Sequence, residues 1–152
     1  MTPTNLWVAH PSRLARVGTR IGGLLAASLL NIFWISLGAI AGANSRYFLS
    51  RWIARNFSAE FPWGTLVINI TGSLVLGFFM AWTTERVLAD PRWRLLIAIG
   101  FCGSYTTFSS YAVETMAYFE QGHWWFFAAN VLGNNALCLA SALVGIAIAR
   151  AI

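Results

Sequence analysis

Charge is what this chain has least of. Only 10% of its 152 residues are Asp, Glu, Lys or Arg, where soluble domains carry roughly 25%. Lysine is absent altogether, so all ten basic residues are Arg, and acidic residues number five. A net charge of +5 invites thoughts of nucleic acid, but the Arg residues form no basic patch interleaved with aromatics on a soluble surface. They read instead as loop charge that sets membrane orientation. Cysteine is scarce as well. Cys102 and Cys138 stand in separate apolar segments without metal-ligand spacing and read as packing residues. The two histidines, His10 and His123, have no nucleophile or carboxylate pattern beside them, and no phosphate-binding or dinucleotide-binding fingerprint occurs. An enzyme is not expected.

What is present is apolar surface: 58% of the residues are hydrophobic and mean hydropathy is +0.64. The length accommodates about four spans of ~20 residues with short connections. The expected class is an all-α integral membrane protein. Its spans are placed at Leu30 to Ile53, Trp63 to Thr83, Leu95 to Phe119 and Trp124 to Ala149, with the third broken internally. Residues 1–29 read as a polar, basic extension with the lead-in to the first span, and residues 30–152 as the four-helix domain. The apolar stretch from Ile21 to Ala43 is too long for a signal-peptide core, so cleavage is not expected. So short a chain cannot enclose a wide pore alone, which favours a pathway at a subunit interface. An even number of spans puts both termini on one side. That side carries Arg13, Arg16, Arg20, Arg86, Arg92, Arg94 and Arg150, against Arg46, Arg51 and Arg55 on the other. Seven against three predicts cytoplasmic termini.

The segment Gly100–Tyr111 sits where a membrane helix should be, yet Gly103-Ser-Tyr-Thr-Thr107 has the composition of a loop. Irregular backbone at membrane depth survives only inside protein or beside a wet pathway. Unwinding near Gly103–Thr106 would free carbonyls, hard ligands suited to Na⁺. Thr106, Thr107, Ser109 and Ser110 supply hydroxyls. Phe108 and Tyr111, three apart, share a helix face, and aromatic ring edges are positive enough to face an anion; the alternative is core packing. Glu114 follows on that face, as a gate, a counter-charge or a partner for an Arg. Arg46 lies seven residues before the expected end of its span, either drawing anions into a vestibule or snorkelling to the interface. In the second span Thr65, Asn69, Gly72 and Ser73 form a polar ribbon. The Asn69 amide donates two hydrogen bonds, which suits a dehydrating anion or, equally, interhelical packing. The fourth span offers Asn130, Asn134, Asn135, Cys138 and Ser141; Asn134, Cys138 and Ser141 share a face that suits either a route or a dimer seam, with Asn135 starting a neighbouring one.

Three stretches carry a resemblance: Gly38-Ala-Ile-Ala-Gly-Ala-Asn-Ser-Arg-Tyr47, Pro62-Trp-Gly-Thr-Leu-Val-Ile-Asn-Ile-Thr-Gly72 and Gly100-Phe-Cys-Gly-Ser-Tyr-Thr-Thr-Phe-Ser109. In that order they resemble the signatures of the Fluc (CrcB-type) fluoride channels. The resemblance implies an antiparallel, dual-topology homodimer in the plasma or inner membrane. It also implies two fluoride pathways at the dimer interface, a central structural Na⁺, and fluoride resistance as the outcome. By position, the Na⁺-binding carbonyls fall on Gly103 and Thr106. Asn69 matches the pore-lining amide and Phe108 the first aromatic flanking fluoride. Arg46 matches the first-helix Arg, and Glu114 the acidic residue after the third motif. Thr107 and Ser110 join the expected fluoride-lining set. Three departures stand out. Tyr111 replaces the usual second Phe, adding a hydroxyl that either binds fluoride or occupies its place. Cys138, with Ser141 as the weaker choice, stands where a pore Ser is usual. The roughly 30 residues before the first signature exceed the family's usual length, and the Arg bias sits awkwardly with an antiparallel dimer.

Two other classes are compatible with four spans. A small multidrug or proton-coupled transporter, also dual-topology, wants a carboxylate in its first span; none occurs there, so Glu114 would have to substitute. A non-transport assembly subunit is the third reading.

Overall fold

The structure, a computed structural model, describes the backbone of residues 11–85 and 90–152, and side chains from Leu25 onward except around the second loop. Arg13, Arg16, Arg20 and Arg86, on which the topology count partly rests, lie outside the residues whose side chains are described. The chain divides into two units after Phe33. Of the first, the helical course from Pro11 is described, with Leu25–Phe33 exposed.

Every described element is helical. Helix α1 is Pro11–Asn56 and α2 is Trp63–Glu85. A single turn, α3 (Pro91–Trp93), opens onto a π-helical stretch, Arg94–Cys102, and then a second short turn, α4 (Gly103–Tyr105). Helices α5 (Phe108–Glu120) and α6 (Trp124–Ala151) complete the chain. Among the described residues three helical segments are long and apolar enough to cross a membrane: Leu25–Asn56, Trp63–Thr84 and Trp124–Ala151.

The span placed at Leu30 to Ile53 lies within the apolar segment Leu25–Asn56, and the helix that carries it begins earlier, at Pro11. Polar residues do not end a helix; proline inside it does, and between Pro11 and Leu30 there is none, while Pro11 itself occupies a first-turn position where its missing N–H is harmless. The helix α3 also starts on a proline, and the Asp90 carboxylate accepts from the Arg92 N–H at 2.9 Å to cap it. Between α5 and α6 the chain turns through Gly122 at φ +71°, a conformation glycine adopts without strain.

Helices α2 and α6 pack through glycines at very close range. A Cβ on Gly77 would lie 2.5 Å from the Ala142 carbonyl oxygen, and one on Gly145 would lie 2.7 Å from the Phe78 nitrogen. Backbone therefore touches backbone, the close approach that drives association where lipid offers no hydrophobic gain. The π-helical stretch approaches α1 in the same manner: a Cβ on Gly100 would stand 2.6 Å from the Ile35 carbonyl oxygen. The buried interior is small and unusually polar. Beside Ile53, Leu66, Ile68, Phe79 and Cys102 it holds Thr65, Thr107, Thr115, Asn130 and Asn134.

Candidate functional site

Between Pro91 and Glu120 the helical backbone is interrupted at Thr106 and Thr107. Thr106 (φ −76°, ψ 159°) and Thr107 (φ −149°, ψ 109°) are extended between α4 and α5. The unwinding expected to begin at Gly103 thus falls later, because Gly103-Ser-Tyr105 keeps a helical turn. The Ser104 hydroxyl reaches back to the Gly100 carbonyl, and the Thr106 hydroxyl to the Cys102 carbonyl at 2.9 Å. Such local bonds let Ser and Thr satisfy a turn that has no helical continuation.

One side chain meets the interruption from outside. The Asn69 amide on α2 grips Thr107 at both of its peptide groups. Its Oδ1 accepts from the Thr107 N–H at 2.9 Å, and its Nδ2 donates to the Thr107 carbonyl at 3.2 Å. The second Nδ2 hydrogen goes to Asn134 Oδ1, also at 3.2 Å. The network continues inward. Asn134 donates to Asn130 Oδ1 at 2.8 Å, Asn130 to the Thr115 hydroxyl at 2.9 Å, and Thr115 to the Tyr111 carbonyl at 2.7 Å. It starts and ends on α5. Every member is buried or half-buried and every amide finds a partner, the condition under which a buried polar network rigidifies its surroundings. Thr107 also caps α5, its hydroxyl accepting from the Ser110 N–H at 3.2 Å.

Beside this clamp a groove of about 310 Å³ opens on the surface. Asn69, Ser73, Thr106, Thr107, Phe108, Tyr111, Asn134, Asn135 and Cys138 line it. The groove therefore gathers five of the six residues expected to line a fluoride route: Asn69, Thr107, Phe108, Tyr111 and Cys138. The sixth, Ser110, is not among the lining residues; its hydroxyl bonds to the Thr107 Oγ1 at 3.0 Å and serves the cap. Phe108 and Tyr111 stand edge to face, ring centroids 5.5 Å apart at 60°. Phe108 is 78% exposed, a ring presented outward rather than packed. Cys138 on α6 and Ser73 on α2 face the groove together. Ser141 takes no part in the groove, donating to the Ile70 carbonyl at 2.9 Å.

Glu114 does not share that groove. It faces a second cavity of about 720 Å³ at the end of the helices, with Thr65, Ser50, Tyr118 and His123. Its Oε1 accepts from the Thr65 hydroxyl at 2.7 Å, while the buried Oε2 has no partner among the described residues. Arg46 is half-buried on α1, lines none of these cavities, and forms no ion pair with a described carboxylate. Gly103 is exposed, and a Cβ there would find its nearest neighbour at 3.9 Å, so nothing within one chain demands glycine.

Sequence reasoning put Asn134 on a fourth-span face suited to a route or a dimer seam, but did not join it to Asn69; it gave Asn130 no role and missed Thr115 altogether. The signal was present. Asn130 and Asn134 are four apart, so they stack on one face of α6, and asparagines so placed in an apolar helix must answer to a partner.

These features define a class, a small multi-pass helical membrane protein whose buried polar side chains hold an interrupted helix beside an open polar groove. Comparison with known proteins narrows it. A family model described as "CrcB-like protein, Camphor Resistance (CrcB)" matches residues 33–146. A protein of Koribacter versatilis named fluoride-specific ion channel FluC is 66% identical over 119 residues, covering 78% of this chain and 94% of that protein. Proteins of the same name from a Synechococcus strain and from Coxiella burnetii are each 43% identical, over 130 and 122 residues, and each is covered to 98% of its length. The chain belongs to the CrcB family.

Proposed function

We propose that this protein is a passive, fluoride-selective ion channel of the plasma or inner membrane that exports cytoplasmic fluoride and so confers fluoride resistance. The observation that carries the reading is the groove beside Thr107, where Asn69, Ser73 and Thr107 line the same space as the Phe108 and Tyr111 rings. Its relatives' names point to the same ion. Fluoride is small and strongly hydrated, so a pore must replace its water with short hydrogen bonds and positive ring edges. Larger halides approach such donors less closely, and cations meet a lining tuned to the opposite sign.

In this reading the working unit is an antiparallel homodimer inserted in both orientations, with two pores at its interface. Support comes from side chains exposed on one chain: the polar Asn44 and Asn135 within segments apolar enough to cross a membrane, where lipid offers no hydrogen bonds, and the aromatic Phe108. A structural Na⁺ at the dimer centre fits the same backbone. The donor that a continuous helix would bring to the Gly103 carbonyl is the Thr107 N–H, and that N–H is bound to Asn69. Thr106 is extended, which turns its carbonyl off the helical axis. Gly103 and Thr106 would hold the ion through these oxygens, hard ligands appropriate to Na⁺. When bound, the ion supplies fixed positive charge between the two chains. Arg46 in this reading helps draw anions toward the route, and Glu114 borders the vestibule.

The test is fluoride efflux from proteoliposomes, followed with a fluoride electrode and a chloride control. Wild type should pass fluoride electrogenically without a proton gradient, and Asn69→Asp and Phe108→Ile should abolish the flux. Wild-type-like flux in both variants would sink the site assignment; silence of the wild type would sink the function. A proton-coupled transporter is the second reading, favoured by the unpartnered Oε2 of Glu114 beside the larger cavity. It requires flux that follows the proton gradient and vanishes in Glu114→Gln.

A further inference from the structure

The hydrogen-bonding direction of the Tyr111 hydroxyl is fixed from behind. Asn135 Nδ2 donates to it at 3.1 Å and donates its other hydrogen to the Val131 carbonyl, one turn back on α6, at 2.7 Å. The second bond decides the amide's orientation. Turned over, Asn135 would set its Oδ1 2.7 Å from the carbonyl oxygen of Val131, acceptor against acceptor, so the NH₂ must face both oxygens. Tyr111 therefore receives a proton from Asn135 and keeps its own. A phenol can accept and donate at once, and its O–H proton has no acceptor among the described residues. Accepting from one side also polarises a hydroxyl toward donating on the other. Tyr111 and Asn135 both line the groove.

We propose that the Tyr111 hydroxyl donates a hydrogen bond to an anion in the groove, and that Asn135 is the positioning residue that aims it. The proposal rests on the fluoride-channel reading and adds to it. The second aromatic of the pair then acts through its O–H as well as its ring edge. No proton leaves Tyr111; the step is a hydrogen bond made and broken as the anion passes. The geometry favours the first of the two roles open to this hydroxyl from sequence, that of binding the anion rather than occupying its place.

The experiment measures initial fluoride flux from proteoliposomes against fluoride concentration for wild type, Tyr111→Phe, Asn135→Ala and the double variant, with thermal unfolding of each in detergent as control. Tyr111→Phe is isosteric at the ring, and Asn135→Ala gives an independent reading should either protein assemble poorly. Losing a donor to an anion should raise the half-saturating fluoride concentration about tenfold in Tyr111→Phe. Losing only its orientation should raise it about threefold in Asn135→Ala. Because Asn135 acts through Tyr111, the double variant should match Tyr111→Phe. A purely structural Asn135 would shift the unfolding temperature and leave the half-saturation unchanged. Unchanged half-saturation in either single variant, or additive effects in the double, overturns the proposal while leaving the channel reading intact. Absence of fluoride flux in the wild type overturns both.

Discussion

Replacing Asn69 by Asp exchanges one NH₂ for one oxygen and should do more harm than removing the side chain. In Asn69→Ala three hydrogen bonds vanish: two to Thr107 and one to Asn134. At about 0.6–1 kcal/mol each for polar contacts between membrane helices, the loss is about 2–3 kcal/mol. In Asn69→Asp the bond from the Thr107 N–H survives. The two donations become oxygen facing oxygen at 3.2 Å, toward the Thr107 carbonyl and toward Asn134 Oδ1. Those two lost bonds amount to about 1–2 kcal/mol, and an ionised carboxylate at mid-span adds about 2.5–3.5 kcal/mol. The total, about 3.5–5.5 kcal/mol, exceeds that of the truncation. Reversible unfolding in mixed micelles should rank wild type above Ala and Ala above Asp, with fluoride flux lost in both variants. If Asp unfolds at the wild-type midpoint and only flux is lost, Asn69 is a free pore amide and the clamp argument is wrong.

Other outcomes follow from the same geometry. Phe108→Ile should abolish fluoride flux with an unfolding midpoint close to wild type, since a side chain 78% exposed on the chain contributes little to its packing. Gly145→Ala should destabilise by about 1–3 kcal/mol, because its Cβ meets α2 backbone. Gly133→Ala, where the nearest atom is Leu66 Cδ1 at 4.0 Å, should be neutral by the same thermal assay. Thr107→Val should cost about 1 kcal/mol through loss of the α5 cap, whereas Thr107→Ser should keep it. Exchanging Na⁺ for a large organic cation on both sides of the liposome should silence flux, and retained flux would count against the cation site at Gly103 and Thr106.

Residue chemistry made the membrane class and the position of the helical break readable in advance. Low charge and long apolar runs leave few alternatives, and Gly103-Ser-Tyr-Thr-Thr107 stands out against them. The pairing of Asn69 with this break was harder to see. An asparagine in an apolar helix announces that it needs a partner without saying which one, and Thr107 lies 38 residues away in sequence. Glu114 shows the limit of face-counting along one helix. Three residues after Tyr111 it looked like part of the same wall, but the rise of about 4.5 Å over three helical residues carries it to Thr65 and a different space. The helix α1 outruns the span placed within it, since hydropathy locates where lipid begins and a helix ends for backbone reasons.

The Thr107 N–H has consequences at two places. Taken up by Asn69, it ends a helix, sets one wall of the groove, and leaves the Gly103 carbonyl without the donor it would otherwise have. Positions 69 and 103 therefore cannot be read as independent variables in mutagenesis. A substitution at Asn69 chosen to probe anion preference also resets what the Gly103 oxygen can bind, and an altered cation dependence in such a variant would be a direct effect of the amide rather than a distant one.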